Sequence, residues 1–272
     1  MREMMKRVLA LTVAVVIAAG CTSAPLAGPE PYIHPGIRWV QQSAEFEAVA
    51  MQVYRKAGDD LAAKVNDRSW SALPDQSNAE DLPPAIIFDV DETVVSNAEF
   101  QLTLIPPFSD EKLNAWNAAN KATGIPGVAE FAAKARAMGV ELFFVTNRPC
   151  IKDERTGAAC PQKAVSTQDV VEAGIPVSEE FVMLSYEQPG WNKEKKNRRD
   201  EIAKNYRVIM LIGDDLGDFI PCSRRRAVSP CTQGASAQSR KLATAQHRNY
   251  WGNGWYILPN PMHGSWTTVL TQ

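Results

Sequence analysis

Acidic residues recur in this chain at short intervals directly beyond apolar runs. Asp89 and Asp91 stand two residues apart in Asp89-Val90-Asp91-Glu92-Thr93, after Ala85-Ile86-Ile87-Phe88. Asp214, Asp215 and Asp218 follow Val208 to Ile212, and Thr146-Asn147-Arg148 follows Val140 to Val145. Carboxylates crowded in this way raise one another's pKa unless a cation lies among them, so the pattern calls for a divalent metal. Oxygen ligands without a nearby histidine favour Mg2+ over zinc or copper. A calcium loop is excluded, because its sixth position requires glycine and is Val94 here. An acidic metal site flanked by hydroxyl, amide and basic groups is what phosphoryl chemistry needs.

Such groups need a scaffold that gathers distant stretches of chain. The runs at 85–88, 140–145, 181–184 and 208–212 are short and apolar on both faces, and helix-length segments such as Val128 to Met138, closed by Gly139, separate them. This texture predicts an α/β fold, a parallel sheet covered by helices. Ligands in such sheets bind beyond the carboxyl ends of the strands, where strand order reverses. Phe46, Val49, Ala50, Val53, Ala57 and Leu61 recur at three- and four-residue steps between Trp39 and Asn66, which predicts one amphipathic helix on the sheet. The segment 96–125 reads as a second helical addition, a small cap. Ser223 to Arg240 reads as a surface excursion, and Trp251 to Trp266 as an ordered aromatic segment.

At 272 residues with 45% hydrophobic and 22% charged content, the chain can build a full core, which excludes disorder, collagen and coiled coil. Its formal charge of −2 excludes the global basic field of a nucleic-acid-polymer binder. Arg2, Lys6 and Arg7 precede an apolar run, Val8 to Ala19, too short to span a bilayer, and Ala18-Ala19-Gly20-Cys21 follows. This predicts a signal peptide over 1–20, cleavage before Cys21 and lipidation of that thiol. Removal of Arg2, Glu3, Lys6 and Arg7 would take the charge to −4. Residues 21–36, with Pro25, Pro29, Pro31 and Pro35, read as a tether, and 37–272 as the globular domain. Of the five cysteines, Cys150, Cys160, Cys222 and Cys231 remain. Their spacing suggests Cys150 with Cys160 and Cys222 with Cys231, though four cysteines allow three connectivities.

Phe88 to Val94, Thr146 and the acidic run Gly213 to Asp218 together resemble the haloacid dehalogenase (HAD) superfamily, in its phosphatase branch. Trp39 to Glu45, Asn97, Val145 to Arg148 and Leu258-Pro259-Asn260-Pro261-Met262 narrow the resemblance to the class C acid phosphatases, lipoproteins of the bacterial outer membrane. The resemblance implies a HAD-like Rossmannoid fold and a phosphomonoester hydrolase working through an aspartyl-phosphate. It implies Asp89 as nucleophile and Asp91 as general acid and base. Mg2+ would be held by Asp89, the Asp91 carbonyl and Asp214, with Asp215 and Asp218 acting through waters or orienting a lysine. Thr146 and nearby amides would bind phosphoryl oxygens, with Asn147 and Arg148 in support.

Lys195, followed three residues later by Arg198, best fits the family's lysine, with Lys193 and Lys196 as alternatives. His263 stands where relatives that favour nucleoside monophosphates carry tyrosine, and Leu61 about where an opposing ring is expected. A nucleobase clamp would then have to come from Tyr54, Trp70, Trp251 or Trp255. The resulting expectation is a lipid-anchored, Mg2+-dependent acid phosphatase of the cell envelope, acting on small phosphomonoesters that include nucleoside monophosphates. A phosphotransferase and an inactive surface-binding lipoprotein are its rivals.

Overall fold

The computed structural model describes residues 34–105, 107–119 and 121–270. The segment 1–20, Cys21 and the tether as far as residue 33 lie outside the described residues. The strands are β1 (Pro84–Phe88), β2 (Val95–Ser96), β3 (Thr123–Gly124), β4 (Glu141–Pro149), β5 (Val182–Ser185), β6 (Arg207–Gly213) and β7 (Trp255–Ile257). The helices are α1 (Pro35–Gln42), α2 (Ala44–Asn66), α3 (Ala98–Thr103), α4 (Asp110–Ala118), α5 (Val128–Ala137), α6 (Pro161–Glu172), α7 (Lys196–Ala203) and α8 (Ala237–Gln246). None of the described helices is long and apolar enough to cross a membrane.

The sheet runs β5-β4-β1-β6-β7, with every pair parallel. Alternation along the strands divides the core in two. Ile86, Phe88, Leu142 and Phe144 pack toward Tyr54 and Phe131 of α2 and α5, while Ala85, Ile87, Phe143 and Val145 share the other layer with Phe219 and Trp255. The apolar runs are thus covered on both faces, as an all-parallel sheet requires.

The expected leading helix is two helices. Ser43 is extended (ψ 137°), ends α1 and caps α2 by accepting from the Phe46 amide at 3.1 Å. Pro35 opens α1, so residues 35 and 36 of the expected tether belong to the globule. The 96–125 addition contains α3 and α4, and β2 pairs antiparallel with β3 at its base. Thr146-Asn147-Arg148 lies inside β4 rather than beyond it, because β4 goes on pairing with β5 as far as Pro149, opposite Ser185. The excursion 223–240 ends in α8. The aromatic segment supplies the edge strand β7, too short at three residues to show a strand period.

Helix α2 reaches the acidic loop through one bond: buried Tyr54 donates its hydroxyl to the Thr93 carbonyl at 2.7 Å. Tyr54→Phe should lower unfolding free energy by about 1–3 kcal/mol, since it leaves a buried carbonyl without this donor. Urea denaturation checks this, and an unchanged midpoint would remove Tyr54 as a brace.

Candidate active site

The chain leaves β1 toward β4 and leaves β6 toward β7, so strand order reverses in the crevice between β1 and β6. The Asp89 amide closes that crevice by donating to the Ile212 carbonyl at 2.8 Å. Asp89, Asp214 and Asp218 meet there, each with a carboxylate oxygen within 4.8 Å of the others. Gly213 makes the approach possible, since a Cβ at that position would lie 2.3 Å from Asp218 Oδ2. Asp218 folds back over the turn and accepts from the Asp214 and Asp215 amides at 3.2 and 2.9 Å.

Of the three lysines considered, the structure brings Lys195 to this cluster. Its Nζ ion-pairs with Asp89 and lies 2.6 Å from Asp218 Oδ1, fully buried. Lys193 pairs with Asp110 at 3.3 Å, and Lys196 with Asp200 at 2.9 Å on the outside of α7. Two buried arginines fix the start of α7. Arg198 donates to the Thr146 carbonyl and to Asn147 Oδ1 (3.0 Å), and Arg199 to the Gly217 and Asp218 carbonyls at 3.1 and 2.8 Å.

Asp91 is held apart from the metal-type cluster. Arg148 grips it at 2.7–3.1 Å through Nε and Nη2, and Asn97 Nδ2 donates to it at 2.8 Å. The other side of Arg148 ion-pairs with buried Asp169 of α6. Sequence reasoning missed Asp169, because an acidic residue within a helix reads as solvated. Thr146 is fully buried, lies 3.4 Å from Asp91 Oδ2 and accepts from the Arg148 amide at 3.1 Å. Asp215 anchors the C-terminal segment by accepting from Ser265 Oγ at 2.7 Å and from the Gly217 amide at 2.9 Å. Asn260 donates to Asp214 Oδ2 at 2.7 Å, which gives the Leu258 to Met262 motif a local task.

Electrostatics separates the carboxylates. Burial pushes Asp89 up to about 7; Lys195 opposes this, while Asp218 and Asp91 reinforce it. Burial, then the charges of Asp89, Asp218 and Asp215, hold Asp214 well above the ordinary carboxylate range. Burial would raise Asp91 too, but Arg148 and Asn97 hold it below that range. Lys195 is raised despite its burial, by Asp218 and Asp89.

The family model described as HAD superfamily, subfamily IIIB (acid phosphatase) matches residues 11–266. The chain belongs to that family. It is therefore a phosphomonoester hydrolase by family, and its fold agrees. It is similar to the class C acid phosphatase from Bacillus anthracis, at 23% identity over 86% of each chain with a TM-score of 0.68. The tungstate-bound structure of the Bacillus anthracis enzyme matches at 23% identity and a TM-score of 0.69, again over 86% of each chain.

In this acid phosphatase the cluster opens into a cavity of about 1030 Å3, lined by Asp89, Asp91 and Lys195 on its floor. His263 lines it as well, 3.4 Å from Glu92 Oε1. Burial would lower His263, but Glu92, Asp91 and Asp215 outweigh it and raise its pKa. The residues weighed as a nucleobase clamp are elsewhere. Tyr54 and Trp255 are core residues, Trp70 donates to the Ile209 carbonyl and Trp251 to Thr244, and Leu61 is fully buried. Phe108 and Tyr186, exposed by 52% and 53%, are the aromatic rings that line the cavity among the described residues. The structure pairs Cys150 with Cys160 and Cys222 with Cys231, beside β4 and beyond Asp218.

The acidic cluster fits a divalent cation: its oxygens converge, and burial with mutual repulsion drives two of its carboxyls toward the protonated form, which a cation would oppose. Asp89 keeps its proton to about pH 7 when folded, against about 4 in the unfolded chain. The folded state then binds more protons in that window, so stability of the metal-free protein should fall as pH rises through it. Urea unfolding in EDTA from about pH 4.5 to about pH 7.5 should show the decline, and Asp89→Asn should make it shallower, leaving the share of the raised Asp214. Mg2+ should restore stability most at the upper end. A metal-free stability that climbs across the window would refute this electrostatic picture.

Proposed function

We propose that this chain is a Mg2+-dependent acid phosphatase that hydrolyses small phosphomonoesters, nucleoside 5′-monophosphates among them, through an aspartyl-phosphate at the cell envelope. The observation that carries the reading is the division of labour at the cavity floor. Asp89 meets Lys195 and the metal-type cluster, while Asp91 is turned aside and held by Arg148.

Asp89 attacks phosphorus in line, and the bond to the ester oxygen breaks as the acyl-phosphate bond forms. Lys195 favours ionised Asp89 and offsets charge on the phosphoryl oxygens. Asn147 and Arg148, which line the cavity, would hold those oxygens with neighbouring amides of β4, while Thr146, fully buried and outside the lining, supports them by accepting from the Arg148 amide. Asp91 protonates the departing alcohol, then takes a proton from the water that opens the intermediate. Against its burial, Arg148 and Asn97 favour the ionised form of Asp91, the form that takes a proton from the attacking water. Asp89, Asp214 and the Asp91 carbonyl would hold Mg2+, with Asp218 beside them. The ion supplies Lewis-acid neutralisation of the transferred group when bound.

The basic start, the short apolar run and Cys21 support export and a lipid anchor at the outer membrane, and two disulfides suit a compartment outside the cytosol. A tetrahedral oxyanion binds the similar Bacillus anthracis enzyme, and tungstate should compete with substrate here.

Purified protein with Mg2+ should release phosphate from p-nitrophenyl phosphate and nucleoside monophosphates, and EDTA should stop it. Asp91→Asn should cost roughly 10²–10⁴-fold in kcat, and Asp89→Asn should prevent trapping of a phosphoenzyme. Absence of hydrolysis with Mg2+ present would leave the binding-lipoprotein reading. Phosphoglycerol formed in added glycerol would mark a phosphotransferase. In cells, Cys21→Ser should move the protein from the membrane fraction to the soluble one, and unchanged membrane association would refute the lipid anchor.

A further inference from the structure

The cavity is large for the ester it must hold. Its volume of about 1030 Å3 lies at the top of the roughly 300–1000 Å3 typical of sites for drug-sized ligands. Its floor is acidic and carries Lys195, which serves the transferred phosphoryl group. From the cap, Leu104, Phe108 and Leu113 line the cavity together with Gln101 and Asp110. Arg224, Arg225 and Arg226 line the same cavity in succession, on the loop closed by Cys222–Cys231.

Within the protein Arg224 acts on Asp215 by its charge, without an ion pair. Arg225 donates to the Thr268 carbonyl at 3.1 Å. Among the described residues, no carboxylate lies within ion-pair range of Arg224 or Arg226. Asp91 finds its ion-pair partner in Arg148, and Asp89 and Asp218 find theirs in Lys195. Three adjacent guanidinium groups repel one another, and such an arrangement is stabilised when an anion lies between them.

The loop is also held in place. Arg240 ties the Ser223 carbonyl (2.6 Å) to Ser265 Oγ (2.7 Å). The Ala235 amide donates to the Arg224 carbonyl at 2.7 Å, and Asn192 Nδ2 to the Ser229 carbonyl at 2.8 Å. Gly234 packs directly on Arg225, where a Cβ would lie 1.8 Å from the Arg225 carbonyl oxygen. A positioned loop loses little freedom when it binds, so its charges serve selectivity.

We propose that Arg224 and Arg226 form an anion subsite for the leaving group, so that the preferred substrates are phosphomonoesters carrying a second anionic group, a phosphate or a carboxylate, on an otherwise small skeleton. The proposal rests on the phosphatase reading for the identity of the first group. The arginines set selectivity, and Asp89, Asp91 and Lys195 perform the chemistry.

Binding to the Asp89→Asn protein with Mg2+, followed by calorimetry, separates the two claims because it needs no turnover. Two matched pairs distinguish the source of the second anion: fructose 1,6-bisphosphate against fructose 6-phosphate, and 3-phosphoglycerate against glycerol 3-phosphate. In at least one pair the doubly anionic ligand should bind roughly 10-fold or more tightly, as a charge-assisted contact implies. Adding Arg224→Gln and Arg226→Gln should reduce that preference to within about threefold, with the fold checked by circular dichroism and Arg224→Lys/Arg226→Lys retaining part of it. Equal affinity in both pairs, or a preference that survives the Gln substitutions, overturns the subsite. Failure of the phosphatase reading shows separately, as absence of phosphate release from p-nitrophenyl phosphate by the unsubstituted protein.

Discussion

Several carboxylates share one desolvated crevice between β1 and β6, and the arrangement around them follows from that repulsion. Asp89 and Asp214 are raised by burial before any neighbour is considered; Asp218 and Asp91 then raise Asp89, and Asp89, Asp218 and Asp215 raise Asp214. Such a group stays folded only if positive charge or hydrogen-bond donors are brought in. Lys195 supplies charge from the start of α7, and the Asp214 and Asp215 amides supply donors to Asp218. The remaining deficit is what a divalent cation would fill.

Asp91 shows the opposite solution two residues away. Its carboxylate is drawn out of the crowd by Arg148, itself anchored on buried Asp169, so a short motif yields one raised and one depressed carboxyl. Attack by Asp89 needs its ionised form, which a cation at the cluster would favour, and ionised Asp91 is the form that takes a proton from water. The surrounding elements keep that separation. Tyr54 holds the loop from α2, Asn97 ties it to Trp116 of the cap at 3.2 Å, and Arg198 and Arg199 fasten α7 to backbone carbonyls of β4 and the β6 turn. Removing one partner of such a buried charge network costs more than the pair contributes in isolation.

Much of this was legible in the chain. The four long strands were readable because burial on both faces demands continuous apolar runs, and the acidic residues were readable because they stand where those runs stop. Elements whose pattern is short or local escaped. β7 has three residues, and the break at Ser43 depends on one cap within an otherwise helical period. Asp169 carries no sequence signal at all, since its role is set by Arg148, distant in the chain. The aromatic residues weighed for the cavity misled for the same reason: composition does not tell whether a ring faces a core or a pocket. Trp255 faces the core, and Tyr186 the pocket.

By itself the sequence determined the fold class, the strand ends that bear the chemistry and the identity of Asp89, Asp91 and Asp214, because hydrophobic periodicity and local spacing are properties of neighbouring residues. The tertiary structure decided that Lys195, the lysine the motif favoured over Lys193 and Lys196, reaches the cluster, which cation holds Asp91, and that Arg224 to Arg226 line the same cavity. Those outcomes depend on through-space distance between segments brought together by the parallel crossover, and through-space distance is not written in local order.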